Sequence, residues 1–166
     1  MSKFLNTLNN QQKLFSNSKQ SLSTWVDKYK RSIVFTNGCF DILHRGHVDY
    51  LEKAAALGES LLVGINSDDS VKLQNKGPDR PVNSQADRAA ILCALACVDG
   101  VVIFHQATPL ELIMEIRPDV LVKGGDWPVE KIVGAQEVID SGGTVHSIEF
   151  EFQRSTTDLI ERIRQL

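Results

Sequence analysis

His44-Arg45-Gly46-His47 sets two imidazoles three residues apart around a glycine, after the apolar run Ser32-Ile33-Val34-Phe35 and the stretch Thr36-Asn37-Gly38-Cys39-Phe40-Asp41. Side chains three apart share one face of a helix. A strand, a sharp loop and a helix that opens on two imidazoles would bring two nitrogen donors to unpaired N–H groups and a positive dipole end. Those are the parts of a polyphosphate site, so the residues point to nucleotide chemistry. Gly46 is expected to leave room for a phosphate against the backbone. Zinc is the competing reading, since Cys39, His44 and His47 could be three ligands. Against it, Asp41 is the only oxygen donor nearby and no second cluster stands at ligand spacing, so no metal site is assigned. Histidines that merely pack or cap are the third reading; His105 and His146, isolated in the chain, are read that way.

Two common nucleotide motifs, G-x-G-x-x-G and the phosphate loop G-x-x-x-x-G-K followed by Ser or Thr, do not occur. Other cations stand where an anion could use them. On a helix expected to open at Ser84, Arg88 shares the stripe of Ile91, Leu92 and Leu95 that should be buried. A guanidinium there needs a partner, either a carboxylate in a buried ion pair or a phosphate at the edge of the site. Lys72, Lys76 and Arg80 are read as cations of the preceding flap, whose aperiodic stretch covers residues 73–81. Cations on a flap that closes over a triphosphate would supply charge to a transition state. Lys123-Gly124-Gly125-Asp126-Trp127 ends an apolar run, and its paired glycines suit either a close ligand or a tight turn. Ser155-Thr156-Thr157-Asp158 resembles a capping box, whose hydroxyls could also meet phosphate oxygens.

The elements that must position these residues alternate regularly. Strands are expected over 33–36, 61–66, 101–104, 120–123 and 145–148, and helices over 46–57, 84–97, 109–116, 129–140 and 156–164. Such alternation predicts an α/β fold, a doubly wound five-stranded parallel sheet covered on both faces. Ligands of such sheets lie beyond the carboxyl ends of the strands, where strand order reverses. Residues 1–31 read as a polar leader carrying an amphipathic helix, with Leu22, Trp25, Val26 and Tyr29 at helical spacing; residues 32–166 read as the domain proper.

With 166 residues and 42% hydrophobic content, the chain has the size of one domain. A net charge of −3 gives no broad basic surface, so no nucleic acid is expected as partner. No stretch approaches the roughly 20 apolar residues of a membrane span, and three cysteines suit a reduced, cytoplasmic protein. The partners expected are small molecules, with a homodimer through the leader as the one association between chains.

From residue 32 onward, the chain resembles the His-x-Gly-His nucleotidyltransferase superfamily, and within it the stand-alone heptose 1-phosphate adenylyltransferases. The matching stretches are residues 35–47, 63–68, 80–83, 121–126 and 154–157. The resemblance implies a Rossmann-like nucleotidyltransferase fold and transfer of an adenylyl group from ATP, with Mg2+, to a heptose 1-phosphate. It implies that His44, His47, Lys76 and Arg88 act on the triphosphate. It further implies that Thr36, Asn37, Gly38, Phe40, Asp41, Gly46, Asn66, Asp68, Lys123, Gly124, Gly125, Asp126, Arg154, Ser155 and Thr156 bind or frame the nucleotide, Asp41 by orienting the loop or a histidine. Related enzymes that use CTP and glycerol 3-phosphate carry Arg-Thr-Glu-Gly-Ile-Ser-Thr-Thr before the last helix. Here the span is Phe150-Glu151-Phe152-Gln153-Arg154-Ser155-Thr156-Thr157, without that first arginine and the glycine, which disfavours the cytidylyltransferase alternative. An ATP sensor without catalysis and an interaction protein on the same sheet are the readings from other classes.

Overall fold

In β2 (Ile33–Gly38) both sides of the pleat are apolar: Val34 packs into one cluster, Ile33 and Phe35 into another. A strand buried on both faces belongs inside a parallel sheet with helices above and below. The computed structural model describes residues 13–15, 23–24, 26–27, 32–74, 79–152 and 156–166. In it, β2 lies between β3 (Ser60–Asn66) and β5 (Val120–Gly124), with β4 (Gly100–Phe104) beyond β3 and β6 (Thr144–Ile148) beyond β5. All these pairings are parallel, which is the five-stranded sheet expected. The leader adds a strand that the sequence reading did not contain. β1 (Leu14–Phe15) pairs with β4 as a sixth, edge strand, and the Lys13 ammonium beside it donates to the Leu95 carbonyl at 3.1 Å. Of the leader helix, Val26 packs against the Ile33 cluster; Leu22, Trp25 and Tyr29 lie outside the described residues.

The helices divide between the faces. From α1 (Arg45–Ala55) and α3 (Gln85–Cys93), Tyr50, Leu51, Ala54, Ala89 and Leu92 join the Val34 cluster. From α4 (Leu110–Ile116) and α5 (Ala135–Asp140), Leu112, Ile113, Ile116, Ala135 and Val138 join the Ile33 cluster. The chain builds outward from β2 through β3 to β4, then returns to the other side of β2 to lay down β5 and β6. That reversal opens a crevice between the carboxyl ends of β2 and β5. α6 (Thr156–Arg164) closes the chain without burying a residue.

Three helical expectations change. Residues 84–97 are helical only to Cys93: the Ser84 hydroxyl caps the start by accepting from Asp87 N–H at 3.2 Å. At the other end, Leu95 N–H and Val98 N–H reach back only three residues and tighten the chain before β4. Residues 129–140 split into a 3-10 turn, Val129–Lys131, and α5. Between them Ile132 is extended and buried, and Gly134 has a φ of +86° with Ile113 2.6 Å from where a Cβ would stand. Only glycine combines that conformation with that closeness. Within the loop expected after Asn66, Ser67 caps a five-residue helix, α2 (Asp68–Lys72).

Gly64, in the middle of β3, makes room for the fully buried Phe35 ring, whose Cζ lies 2.8 Å from a would-be Cβ, with Leu112 at 3.3 Å. Gly64→Ala is expected to cost about 1–3 kcal/mol through overpacking. Denaturant titration reads this as a lowered midpoint at unchanged slope; an unchanged midpoint would mean that the ring has space to retreat.

Candidate active site

β2 delivers the chain to the crevice and α1 starts there, with His44 as its N-cap residue. The His44 side chain makes no capping hydrogen bond, so the opening N–H groups of α1 keep their capacity for an anion. One turn on, His47 stacks on His44, ring centroids 3.8 Å apart and planes 21° from parallel. Phe40, held at a φ of +47°, sets its ring edge-on to His47 at 5.2 Å. Burial lowers the pKa of His44; burial first, then the charge of His44, pushes His47 down to about 4. Both rings are thus neutral donors at neutral pH. Each has a buried Nδ1 without a hydrogen-bond partner among the described residues. The tautomer with hydrogen on Nε2 leaves only a lone pair at that buried position and keeps the N–H for a phosphate oxygen.

Stacked rings do not converge on one point as zinc ligands would. The Cys39 thiol turns instead to Gln74 Oε1 at 3.2 Å and Asn66 Oδ1 at 3.7 Å. The described residues contain no group of three His, Cys, Asp or Glu placed to hold a metal ion.

Of the two readings open for Arg88, the structure shows the buried ion pair. Its side chain is 0% exposed, beneath the site rather than facing it. Its guanidinium donates to the carbonyls of Cys39 (2.7 Å), Asn66 (2.8 Å) and Asn83 (3.1 Å) and to Asp68 Oδ1 (2.7 Å). Arg88 therefore ties together the loops that follow β2 and β3 and the segment that precedes α3, a positioning role. Asn66 and Asp68 belong to this frame: the Asn66 amide donates to Ser70 Oγ at 2.9 Å. Asp41 is the second tie. Its buried carboxylate accepts from Val82 N–H, Asn83 N–H and the Arg80 guanidinium. Burial alone would raise its pKa, but the N–H groups of Asn83 and Val82 and then Arg80 outweigh that and hold it below the ordinary value.

Among the flap cations, Arg80 is therefore bound to Asp41. Lys72 ends α2 in an exposed pair with Asp69 at 3.0 Å. Lys76, Arg154 and Ser155 lie outside the described residues, and Thr156 opens α6.

Two cavities meet at the crevice. One, 160 Å³, is lined by His47, Phe40, Gly38, Gly124 and Phe150, and the other, 190 Å³, by Trp127, Lys131, Ile132 and Pro109. Asn37 and Lys123 line both, and Lys123 Nζ donates to Asn37 Oδ1 at 3.3 Å. A larger cavity of 390 Å³, lined by Ile113, Arg117 and Ser141, lies at the opposite end of the sheet, far from the histidines. Asp126 is exposed beside the crevice.

Protein atoms come close at the glycines of the site. A Cβ on Gly46 would stand 3.0 Å from the Phe152 carbonyl oxygen, and one on Gly124 2.6 Å from the Phe150 ring. Gly125, at a φ of +110°, turns the chain toward Trp127. Residues 150–152, which the sequence reading did not place in the site, thus lie along α1. Phe150 tilts against Tyr50 at 5.4 Å, Glu151 pairs with Lys53 at 2.8 Å, and Arg45 stands 3.8 Å over the Phe152 ring. Tyr50 was also missed, although it stands three residues after His47 on the same helix face. Its hydroxyl hydrogen-bonds Thr36 Oγ1, anchoring α1 to β2 under the cavity.

Two outcomes follow for this frame. Arg88→Ala leaves Asp68 and three carbonyls without their donor and is expected to cost about 3–5 kcal/mol, measurable by denaturant unfolding. The His47 ring should titrate near pH 4 in the ligand-free protein, followed by NMR. Its depressed pKa means that the unfolded chain takes up a proton first as pH falls below the ordinary value of 6.5. Stability is then lost between pH 6.5 and about 4, and His47→Gln should flatten that loss. An equal slope in both proteins would refute the assignment.

A family model described as Cytidylyltransferase-like matches residues 35–162. The chain is 50% identical over 153 residues to the D-beta-D-heptose 1-phosphate adenylyltransferase of Bordetella bronchiseptica, covering 92% of this chain and 94% of that protein. It is 57% identical over 134 residues to the bifunctional protein HldE of Haemophilus ducreyi, covering 81% of this chain but 28% of that longer protein. Among solved structures, the lipopolysaccharide core biosynthesis protein from Thermoplasma volcanium GSS1 matches with a TM-score of 0.59 at 27% identity, over 74% of this chain and 98% of that one. Pantoate-beta-alanine ligase from Francisella tularensis, at 14% identity and a TM-score of 0.60 over 92% of this chain and 73% of that one, shares the fold alone. The matched span takes in the crevice, both stacked histidines and the Arg88 frame, and the chain belongs to the cytidylyltransferase-like family.

Proposed function

We propose that this chain joins ATP and D-glycero-D-manno-heptose 1-phosphate to give ADP-heptose and pyrophosphate, a step toward the lipopolysaccharide core. The observation that carries the nucleotidyl transfer is the neutral, stacked His44–His47 pair at the uncapped start of α1, on the crevice where strand order reverses. The likeness to the Bordetella bronchiseptica protein along nearly the whole chain supports the choice of adenylyl donor and heptose acceptor. Three cysteines, none of them in a disulfide, support a reducing, cytoplasmic setting. No helix among the described residues is long and apolar enough to cross a membrane.

In this reaction an oxygen of the sugar phosphate bonds to the α-phosphorus of ATP while the bond from that phosphorus to the bridging oxygen breaks, and pyrophosphate leaves. The chain contributes position and charge. His44, His47 and the first N–H groups of α1 meet phosphate oxygens whose charge grows in the transition state. Lys123 stands beside the same phosphorus, and Lys76, Arg154, Ser155 and Thr156 complete the cradle for the pyrophosphate. Gly124, Gly125 and Asp126 border the nucleoside, with Phe40 and Phe150 as its apolar walls. Arg88, Asp41, Asn66 and Asp68 hold the loops in register. Mg2+ would arrive on the nucleotide: the Asp41 carboxylate is occupied by Arg80 and two N–H groups, and the described residues offer no metal cage.

Incubation with ATP or CTP against heptose 1-phosphate and glycerol 3-phosphate, with pyrophosphate release and product mass as readouts, tests the reading. ATP with the heptose phosphate should give ADP-heptose. His47→Ala should lower kcat by about 10²–10³-fold, with ATP affinity changed far less. Loss of affinity alone would make the protein a nucleotide sensor.

A further inference from the structure

The two cavities divide at Asn37 and Lys123, and they lie on opposite faces of the sheet. Alternation decides this: Val120 and Val122 turn to the α1 side with Gly124, whereas Leu121 turns to the α4 side with Lys123. Asn37 likewise continues the row of Ile33 and Phe35 in β2. Neither cavity reaches the roughly 300 Å³ at the lower end of small-molecule sites, but they share a wall made of one ammonium and one amide. We infer that they are two chambers of one site, and that the chamber of Trp127, Lys131, Ile132 and Pro109 binds the sugar 1-phosphate. This rests on the adenylyltransferase reading and adds the residues that select the acceptor.

In-line attack requires the incoming oxygen and the departing pyrophosphate to lie on opposite sides of the phosphorus. The histidines, the start of α1 and the Asp41–Arg80 tie lie with the Gly124 chamber on the α1 face, which takes ATP and releases pyrophosphate. The acceptor must then come from the α4 face, over Lys123. The composition of the second chamber fits such a molecule. A sugar 1-phosphate combines a dianion with a ring that has a C–H face, and this chamber combines Lys123 and Lys131 with the Trp127 indole and an apolar floor. A nucleobase carries no charge for Lys131 to meet.

The chain departs from regular structure to build this chamber. A continuous helix over residues 129–140 would carry Lys131 along its surface; the break at Ile132–Gly134 folds the segment against the crevice instead. Trp127 is fixed at its backbone, where its N–H donates to Ser147 Oγ at 3.1 Å and the Ser147 hydroxyl donates to the Gly125 carbonyl.

Trp127 and Lys131 are exposed, so their replacement leaves the core intact. Steady-state kinetics of Trp127→Ala and Lys131→Gln, with heptose 1-phosphate and ATP varied in turn, test the assignment. Each substitution should raise KM for the sugar phosphate about tenfold or more and leave KM for ATP within about twofold. Trp127→Phe and Lys131→Arg should recover most of the loss. An unchanged KM for the sugar phosphate, or a KM for ATP that rises with it, overturns the acceptor chamber while the adenylyltransferase reading stands. A wild-type protein that makes no nucleoside diphosphate sugar from any sugar phosphate overturns both.

Discussion

A guanidinium cannot be buried without acceptors, and Arg88 is buried completely. Its planar fork fixes where those acceptors must stand, and three of the four are backbone carbonyls from separate stretches of chain. The loop after β2, the loop after β3 and the segment before α3 are therefore set relative to one another by one side chain. Asp41 repeats the logic from the other side, since its buried carboxylate requires the N–H groups of Val82 and Asn83 and the charge of Arg80. Together the two ties make a rigid rim of otherwise irregular loops, and α1 starts from that rim.

On this rim the electrostatics are left incomplete. Ser67 and Ser84 cap α2 and α3, yet α1, whose start faces the crevice, has no side-chain cap. Neutral imidazoles whose Nδ1 atoms have no partner among the described residues stand over it. The uncapped start costs stability in the ligand-free protein and is relieved by an anion, which accepts from its N–H groups and from the Nε2–H of the neutral rings. A polar group held ready without its partner is the usual mark of a site preorganised for charge that develops later.

Much of this was legible in the sequence. Alternating strands and helices gave the sheet, the serine at 84 marked a helix start, and the spacing of His44 and His47 placed both rings on one face. The same spacing extended by three residues would have found Tyr50. Arg88 was visible as a misfit on an apolar stripe, but not its role: three of its partners are main-chain carbonyls, and every residue has one. The glycines were legible only in part for a related reason. Close approach at Gly46 and Gly124 was legible, whereas the approaching group comes from residues 150–152, about a hundred and about twenty-five positions away. Gly134 signalled a break inside a helical pattern, yet only the buried Ile132 and the nearby Ile113 show why the break is needed.

The segment 150–152 differs in strength from the rim it crosses. The Lys53–Glu151 pair is exposed on both sides, so solvent screens it and it adds little. The Arg45–Phe152 contact joins an exposed cation to one ring, and Phe150 remains partly open to solvent while it leans on Tyr50 and over Gly124. The Arg88 and Asp41 networks are instead buried and satisfied by several hydrogen bonds each. A nucleotide that settles beside Gly124 thus competes with small surface contacts, not with the frame. The site can reshape the wall that touches the base while the histidines, the start of α1 and Lys123 keep the spacing that the chemistry needs.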